Sequence, residues 1–321
     1  MNSKERMAAA MDGREVDRAP ILFYRHFPGD SDDNCVKWHV DWVKASRMDG
    51  LIVQYDTITG FPVDICTDTI EDFKHLKPLT KDHWYIRENV ERVARILDEI
   101  GDETAIFGLL YTAFNMVRKT MHNFTNMEMR DMWRDHKEIV RSATDWAADI
   151  NDLLIDEWEK VGAFGCLISF RRTHKTFTFG DEEFKAEMLP YDKRVLDHLN
   201  AAFNNHNVMH ICGDIGPNGM EPWLDLDYHT VQWDIHTESV NSLAAGREFW
   251  GPEATIMGGF NHQLGSPIYT VDKEGMKEEV RKIVADAGGQ RRFILGSDCS
   301  VKIPFDDNRY HWMIEALEEL A

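Results

Sequence analysis

The fold class this sequence predicts is a single α/β domain built as a (β/α)8 barrel. Three observations predict it. Eight short apolar runs alternate with longer amphipathic stretches, the pattern of repeated βα units around a parallel sheet. A length of 321 residues suits one barrel whose core needs no disulfide support. No linker, low-complexity tract or internal repeat divides the chain, so residues 1–321 are expected to form one domain.

In chain order, a charged amphipathic start around Lys4, Glu5 and Arg6 predicts an amino-terminal helical extension. The candidate strands are residues 21–24, 51–55, 105–109, 165–170, 208–212, 231–234, 255–259 and 293–296. Between them, Val90, Val93, Leu97 and Ile100 recur at helical spacing, as do Tyr310, Met313, Ile314 and Leu317 near the end. Both stripes are expected to face the core. The stretch 61–84 mixes acidic and apolar residues and is broken by Pro62 and Pro78; it is expected to be an insertion over the barrel mouth.

Composition narrows the function. The chain carries 36 basic and 56 acidic residues, a net charge of −20, with the acids spread throughout. Such a charge disfavours nucleic acid and anionic membranes as partners. Its five cysteines, at 35, 66, 166, 212 and 299, are an odd number without a disulfide framework, and no apolar run approaches the length of a membrane span or a signal peptide. A reducing, cytoplasmic location is expected. No glycine-rich dinucleotide or phosphate loop is present, which argues against a nicotinamide enzyme.

The chemistry concentrates in His210-Ile211-Cys212-Gly213 and in Gly296-Ser297-Asp298-Cys299. His210 and Cys212 lie two apart on a predicted strand and so face the same side. Cys299 follows the last predicted strand. Both halves therefore sit at carboxyl strand ends, the edge that carries barrel active sites. One imidazole and two thiolates would hold a catalytic Zn²⁺ with one position open. Spacing alone is equally compatible with two buried thiols and a hydrogen-bonded core histidine. Asp298 and Asp214 could orient His210, serve as a displaceable fourth ligand, or cap the following turn. Cys35, Cys66 and Cys166 read as structural.

Several segments resemble the uroporphyrinogen decarboxylase superfamily. They are Lys4-Glu5-Arg6-Met7 with Gly13-Arg14-Glu15-Val16-Asp17-Arg18-Ala19-Pro20, then Phe184 through Pro190-Tyr191, His210 through Asp214, Met257 through His262, and Phe293 through Cys299. The resemblance covers nearly all of the chain and implies the barrel fold. The decarboxylases grip an anionic tetrapyrrole with an Arg-rich loop. Here that position reads Phe23-Tyr24-Arg25-His26-Phe27-Pro28-Gly29, so porphyrinogen decarboxylation is not expected. The His-x-Cys pair with a distant Cys instead resembles the zinc-dependent methylcobamide:coenzyme M methyltransferases. That likeness implies one Zn²⁺ per chain on His210, Cys212 and Cys299, a small thiol acceptor, and a methylated corrinoid as donor. No corrinoid-binding Asp-x-His-x-x-Gly segment is recognisable, so a corrinoid would arrive on a partner protein. Relatives are often homodimers.

Strand-end position marks further candidates. Arg25 and His26 are candidates for gripping a carboxylate, sulfonate or phosphate, with a surface salt bridge and a loop hydrogen bond as the alternative. Tyr111 and His262 are candidates for substrate binding or proton movement. Asp56 is a weaker substrate-binding candidate. Three other function classes stay open: a cobalamin-independent zinc lyase or alkyltransferase acting on a thioether or epoxide, a demethylase of a small compound, and a metal-free decarboxylase-like or corrinoid- or tetrapyrrole-binding barrel.

Overall fold

The computed structural model describes residues 1–28, 31–56, 70–120, 126–172, 180–213 and 216–321, with the side chains of 70, 119–120 and 126–130 also outside the description. Seven parallel strands form one curled sheet in sequential order: β1 (Gly50–Ile52), β2 (Ala105–Tyr111), β3 (Gly165–Phe170), β4 (Val208–Ile211), β5 (Thr230–Trp233), β6 (Thr255–Phe260) and β7 (Phe293–Ser297). The expected first strand is reduced to one bridge, Ile21 to Leu295. Leu22 N donates to Leu295 O and Leu295 N to Pro20 O, while Ile21 O accepts from Asp49 N just before β1. This extended segment therefore joins the last strand to the first.

A charge holds the joint. Asp49 is fully buried and accepts from Ile21 N at 2.8 Å, Arg6 Nη1 at 2.6 Å and Arg18 Nη1 at 2.7 Å. Arg6 comes from the amino-terminal helix Ser3–Met11, which Asn2 and Glu5 start with a reciprocal capping box. Met7, Ala10 and Met11 of that helix pack with Leu22, Ile52, Phe107, Leu167, Val208, Met257 and Ile294 inside the barrel. The helix thus stoppers its amino-terminal end. A second, larger apolar layer lies between the sheet and the surrounding helices.

The last helix, Asn308–Glu319, buries Tyr310, Met313, Ile314 and Leu317 as expected. In the helix Trp84–Ile100, Val93 is buried and Val90, Leu97 and Ile100 pack half-buried against the core, beside a face that also carries Tyr85, Ile86, Asn89, Arg92 and Ile96 inward. Arg92 has polar partners there: its Nη1 donates to Gln54 O at 2.7 Å and Asp56 O at 2.6 Å, satisfying carbonyls just past β1. Of the expected insertion, residues 61–69 lie outside the described residues. Ile70–His75 is a 3-10 turn with Phe73 buried, and Lys77 O accepts from Trp146 Nε1 at 2.8 Å, so the described part packs against the long helix Lys137–Val161. None of the described helices is long and apolar enough to cross a membrane.

Replacing Asp49 by Ala removes the acceptor that two buried guanidinium groups and a backbone N–H share, leaving Arg6 with Asp17 and Arg18 with the Ala19 carbonyl. A loss of roughly 3–5 kcal/mol of unfolding free energy is expected, measured by urea denaturation. An unchanged midpoint would show that this carboxylate does not hold the barrel shut.

Candidate metal centre

Strand alternation on β4 sends Val208, His210 and then Cys212 toward the barrel interior, while Met209 and Ile211 face the helices. The register pairs His210 with Ser169 on one side and Gln232 on the other. Cys212 leaves the strand with its N–H donating to Phe170 O, and its carbonyl accepts from Asn218 Nδ2 at 3.0 Å. Asn218 is itself fixed: Arg172 N donates to its Oδ1, and its Nδ2 donates to buried Glu238 Oε1. Gly213 is required next, because a Cβ there would stand 2.5 Å from the Cβ of Asp234. Cys299 follows β7, its carbonyl accepting from Ser297 Oγ at 2.6 Å.

These elements bring His210, Cys212 and Cys299 together, with ligand atoms all within 4.8 Å of one another. Tyr24 OH lies 3.3 Å from His210 Nε2, and His210 Nδ1 is buried without a hydrogen-bond partner. Arg171 Nη2 donates to Cys212 Sγ at 2.8 Å. A hydrogen bond from Cys299 holds the Cys212 thiol well below its ordinary value, helped by His210 and Arg171 and opposed by burial. Cys299 is pushed well up, by the Cys212 thiolate and by burial. The two sulfurs are thus pushed in opposite directions, Cys212 toward the thiolate and Cys299 toward the thiol. In front of them opens a cavity of about 290 Å³ whose walls include Tyr111, Arg118, Arg171 and Lys302.

The chain is tied to a family by its sequence as a whole. The model of the uroporphyrinogen decarboxylase (URO-D) family matches residues 40–320. The chain belongs to the URO-D family. No curated protein matches it by sequence. Among solved structures, a methyltransferase from Methanosarcina mazei superposes with a TM-score of 0.73 at 14% identity, covering 99% of each chain. A B12-independent methionine synthase from Shewanella sp. W3-18-1 gives 0.59 at 9% identity, over 94% of this chain and 96% of the other. At these identities the two structures speak for the fold alone.

In this URO-D family member the donor set suits zinc. Tetrahedral coordination with Zn–S of about 2.3 Å and Zn–N of about 2.0 Å spaces the donors roughly 3.5–3.8 Å apart, inside the observed separation, and the orphaned, buried Nδ1 of His210 is a nitrogen in want of a partner.

The other expected residues divide. Tyr111 ends β2 on the cavity wall, stacked on Tyr55 with centroids 5.6 Å apart, its hydroxyl pushed up to about 12 by burial and then by Cys212. His26 reaches the cavity rim, exposed, with Nδ1 2.9 Å from Asp56 Oδ1. Asp56 does not line the cavity; its other oxygen accepts from Phe27 N, so it anchors the loop. Arg25 also points elsewhere, packed over Trp42 and Phe27 and paired with Asp307 at 3.1 Å, the salt-bridge alternative. His262 is buried beside Asp234 and Asp298, outside the cavity lining. Asp214 and Cys66 lie outside the described residues, and Cys35 and Cys166 are buried.

Sequence reasoning missed Arg118, Arg171 and Tyr24. Phe170-Arg171-Arg172 at the carboxyl end of a candidate strand was a usable signal, as was Tyr24 at the end of the first. Arg118 sits inside the helix Ala113–Thr120 and carried none.

In metal-free protein, Cys212 should be alkylated by iodoacetamide well below pH 9 and Cys299 only slowly, because the thiolate is the reactive form and is present above the lowered pKa of Cys212. Arg171→Met should move Cys212 labelling to higher pH. Peptide mass spectrometry across a pH series reads both, and equal labelling of the two cysteines would contradict the opposed shifts.

Proposed function

We propose that this protein is a zinc-dependent alkyltransferase that methylates a small anionic thiol, with a methylated corrinoid carried by a partner protein as the donor. The observation that carries the reading is the three-ligand nitrogen–sulfur–sulfur triad at the base of a cavity walled by two arginines. Zinc held by His210, Cys212 and Cys299 would supply an open position that strips a thiol of its proton near neutral pH and keeps the sulfur nucleophilic.

The remaining work falls to the chain's own groups. Arg118 and Arg171 flank the cavity, and burial together with the charge of Arg171 lowers the Arg118 pKa. Two guanidiniums lining one cavity suit a bound carboxylate, sulfonate or phosphonate. They would hold the far end of the substrate while its sulfur points at Cys212 and Cys299. Tyr24 and Tyr111 have hydroxyls raised by burial and by the neighbouring thiolates, so they stay protonated and serve as donors rather than bases. His26, exposed at the rim and steadied by Asp56, is the group placed to exchange a proton with solvent.

A cavity of about 290 Å³ sits at the low end for small-ligand sites. It admits a small thiol, and a corrin ring would have to approach from outside the barrel mouth. The lack of a corrinoid-binding segment in the chain agrees with this, and it also keeps a second reading: a cobalamin-independent alkyl transfer, the kind of chemistry named for the Shewanella neighbour.

Cys212→Ser is expected to lose the zinc held by the triad and methyl transfer from methylcobalamin to thiols while the unfolding midpoint holds, since the triad sits at the mouth and not in the core. Full zinc content with full activity in that variant would sink the proposal. Arg118→Met should raise KM roughly ten- to hundredfold for thiols bearing an anionic group and leave KM for neutral thiols little changed. Steady-state kinetics on a matched thiol pair measures the difference.

A further inference from the structure

Beyond this reading, we propose that Asp234, His262 and Asp298 form a second metal site that takes a divalent transition ion such as zinc. Asp234 is the first residue past β5, His262 the second past β6 and Asp298 the first past β7, so three neighbouring strand ends deliver them to one point at the barrel mouth. All three are buried, at 2% exposure or less, and their ligand atoms lie within 4.8 Å of one another.

Two buried carboxyl groups side by side are relieved by positive charge or by a proton. The part-exposed His236 meets one of them, with Nδ1 2.6 Å from Asp298 Oδ2. His262 Nδ1 faces the same oxygen at 3.9 Å and has no hydrogen-bond partner. That gap is too long for a hydrogen bond. It is the right size for one ion, because two donors bound at about 2.0–2.2 Å stand roughly 3.4 Å apart in a tetrahedral arrangement and roughly 4.2 Å apart when opposed.

The surrounding hydrogen bonds orient the donors from outside. His262 Nε2 lies 2.8 Å from Gln263 Nε2. With that amide turned over, its oxygen accepts the Nε2 proton and frees the Nδ1 lone pair for the ion. Ile235 N donates to Asp298 Oδ1 and His236 N to Asp234 Oδ1, which fixes both carboxylates. One imidazole with two carboxylates selects zinc, iron or manganese over magnesium or calcium. Asp298 is followed directly by Cys299, so an ion here would brace the turn that presents the thiol.

The test is a zinc count by elemental mass spectrometry on stripped protein re-equilibrated with buffered zinc, with near-ultraviolet cobalt–thiolate absorption as a separate marker of the cysteine site. Wild type should bind two zinc ions per chain and Cys212→Ser/Cys299→Ser one. Adding His262→Gln or Asp234→Asn to the double variant should bring the count to zero. One ion in wild type with none in the double variant overturns this site and leaves the cysteine site standing. One ion in each, with no cobalt–thiolate band, does the reverse. An ion that survives both added substitutions also overturns the assignment. If a variant fails to fold, the wild-type count read with the wild-type cobalt–thiolate band still decides: two ions with the band support the site, and one ion with the band overturns it.

Discussion

The rest of the molecule depends on one buried carboxylate. Asp49 sits where the ends of the sheet meet and draws in the amino-terminal helix through Arg6, the closing segment through Arg18 and Ile21, and β1 through its own backbone. Only one bridge joins Ile21 to β7, far less backbone pairing than the other interstrand seams have. The charge network supplies there what the ladder of hydrogen bonds supplies elsewhere. Its effect reaches the mouth, because the segment it holds continues to Tyr24, whose hydroxyl meets His210.

At the other end of the barrel, position is set by backbone and not by the reacting groups themselves. Asn218 joins the exits of β3 and β4 by bonding to Arg172 N and Cys212 O, and Glu238 holds Asn218. Arg171 and Cys212 therefore leave neighbouring strands already facing each other. Their 2.8 Å contact stabilises a thiolate before any substrate is present, which is preorganisation in the ordinary electrostatic sense.

Much of this was legible in the sequence. Period-two alternation and short apolar runs located seven strands, and the same alternation placed His210 and Cys212 on one face, so the triad followed from a local rule plus one long-range pairing, Cys299. The residues that escaped did so for identifiable reasons. Arg25 stands one position past Tyr24, and in an extended segment that turns it to the opposite side, toward Trp42. Asp56 is a weaker substrate-binding candidate by its strand-end position, but its oxygens are taken by Phe27 N and His26. Arg118 reaches the cavity from a helix, where the strand-end rule says nothing. In the helix Trp84–Ile100 the buried Arg92 bonds two carbonyls, a demand that hydrophobic spacing does not record.

The helix that stoppers the barrel bears on access. With Met7, Ala10 and Met11 packed across the amino-terminal end, the described residues leave no route to the cavity along the barrel axis from that side. Under the proposed transfer from a docked corrinoid protein, the small reactant would have to be seated first, so a compulsory order of addition would follow from packing at the end farthest from the chemistry.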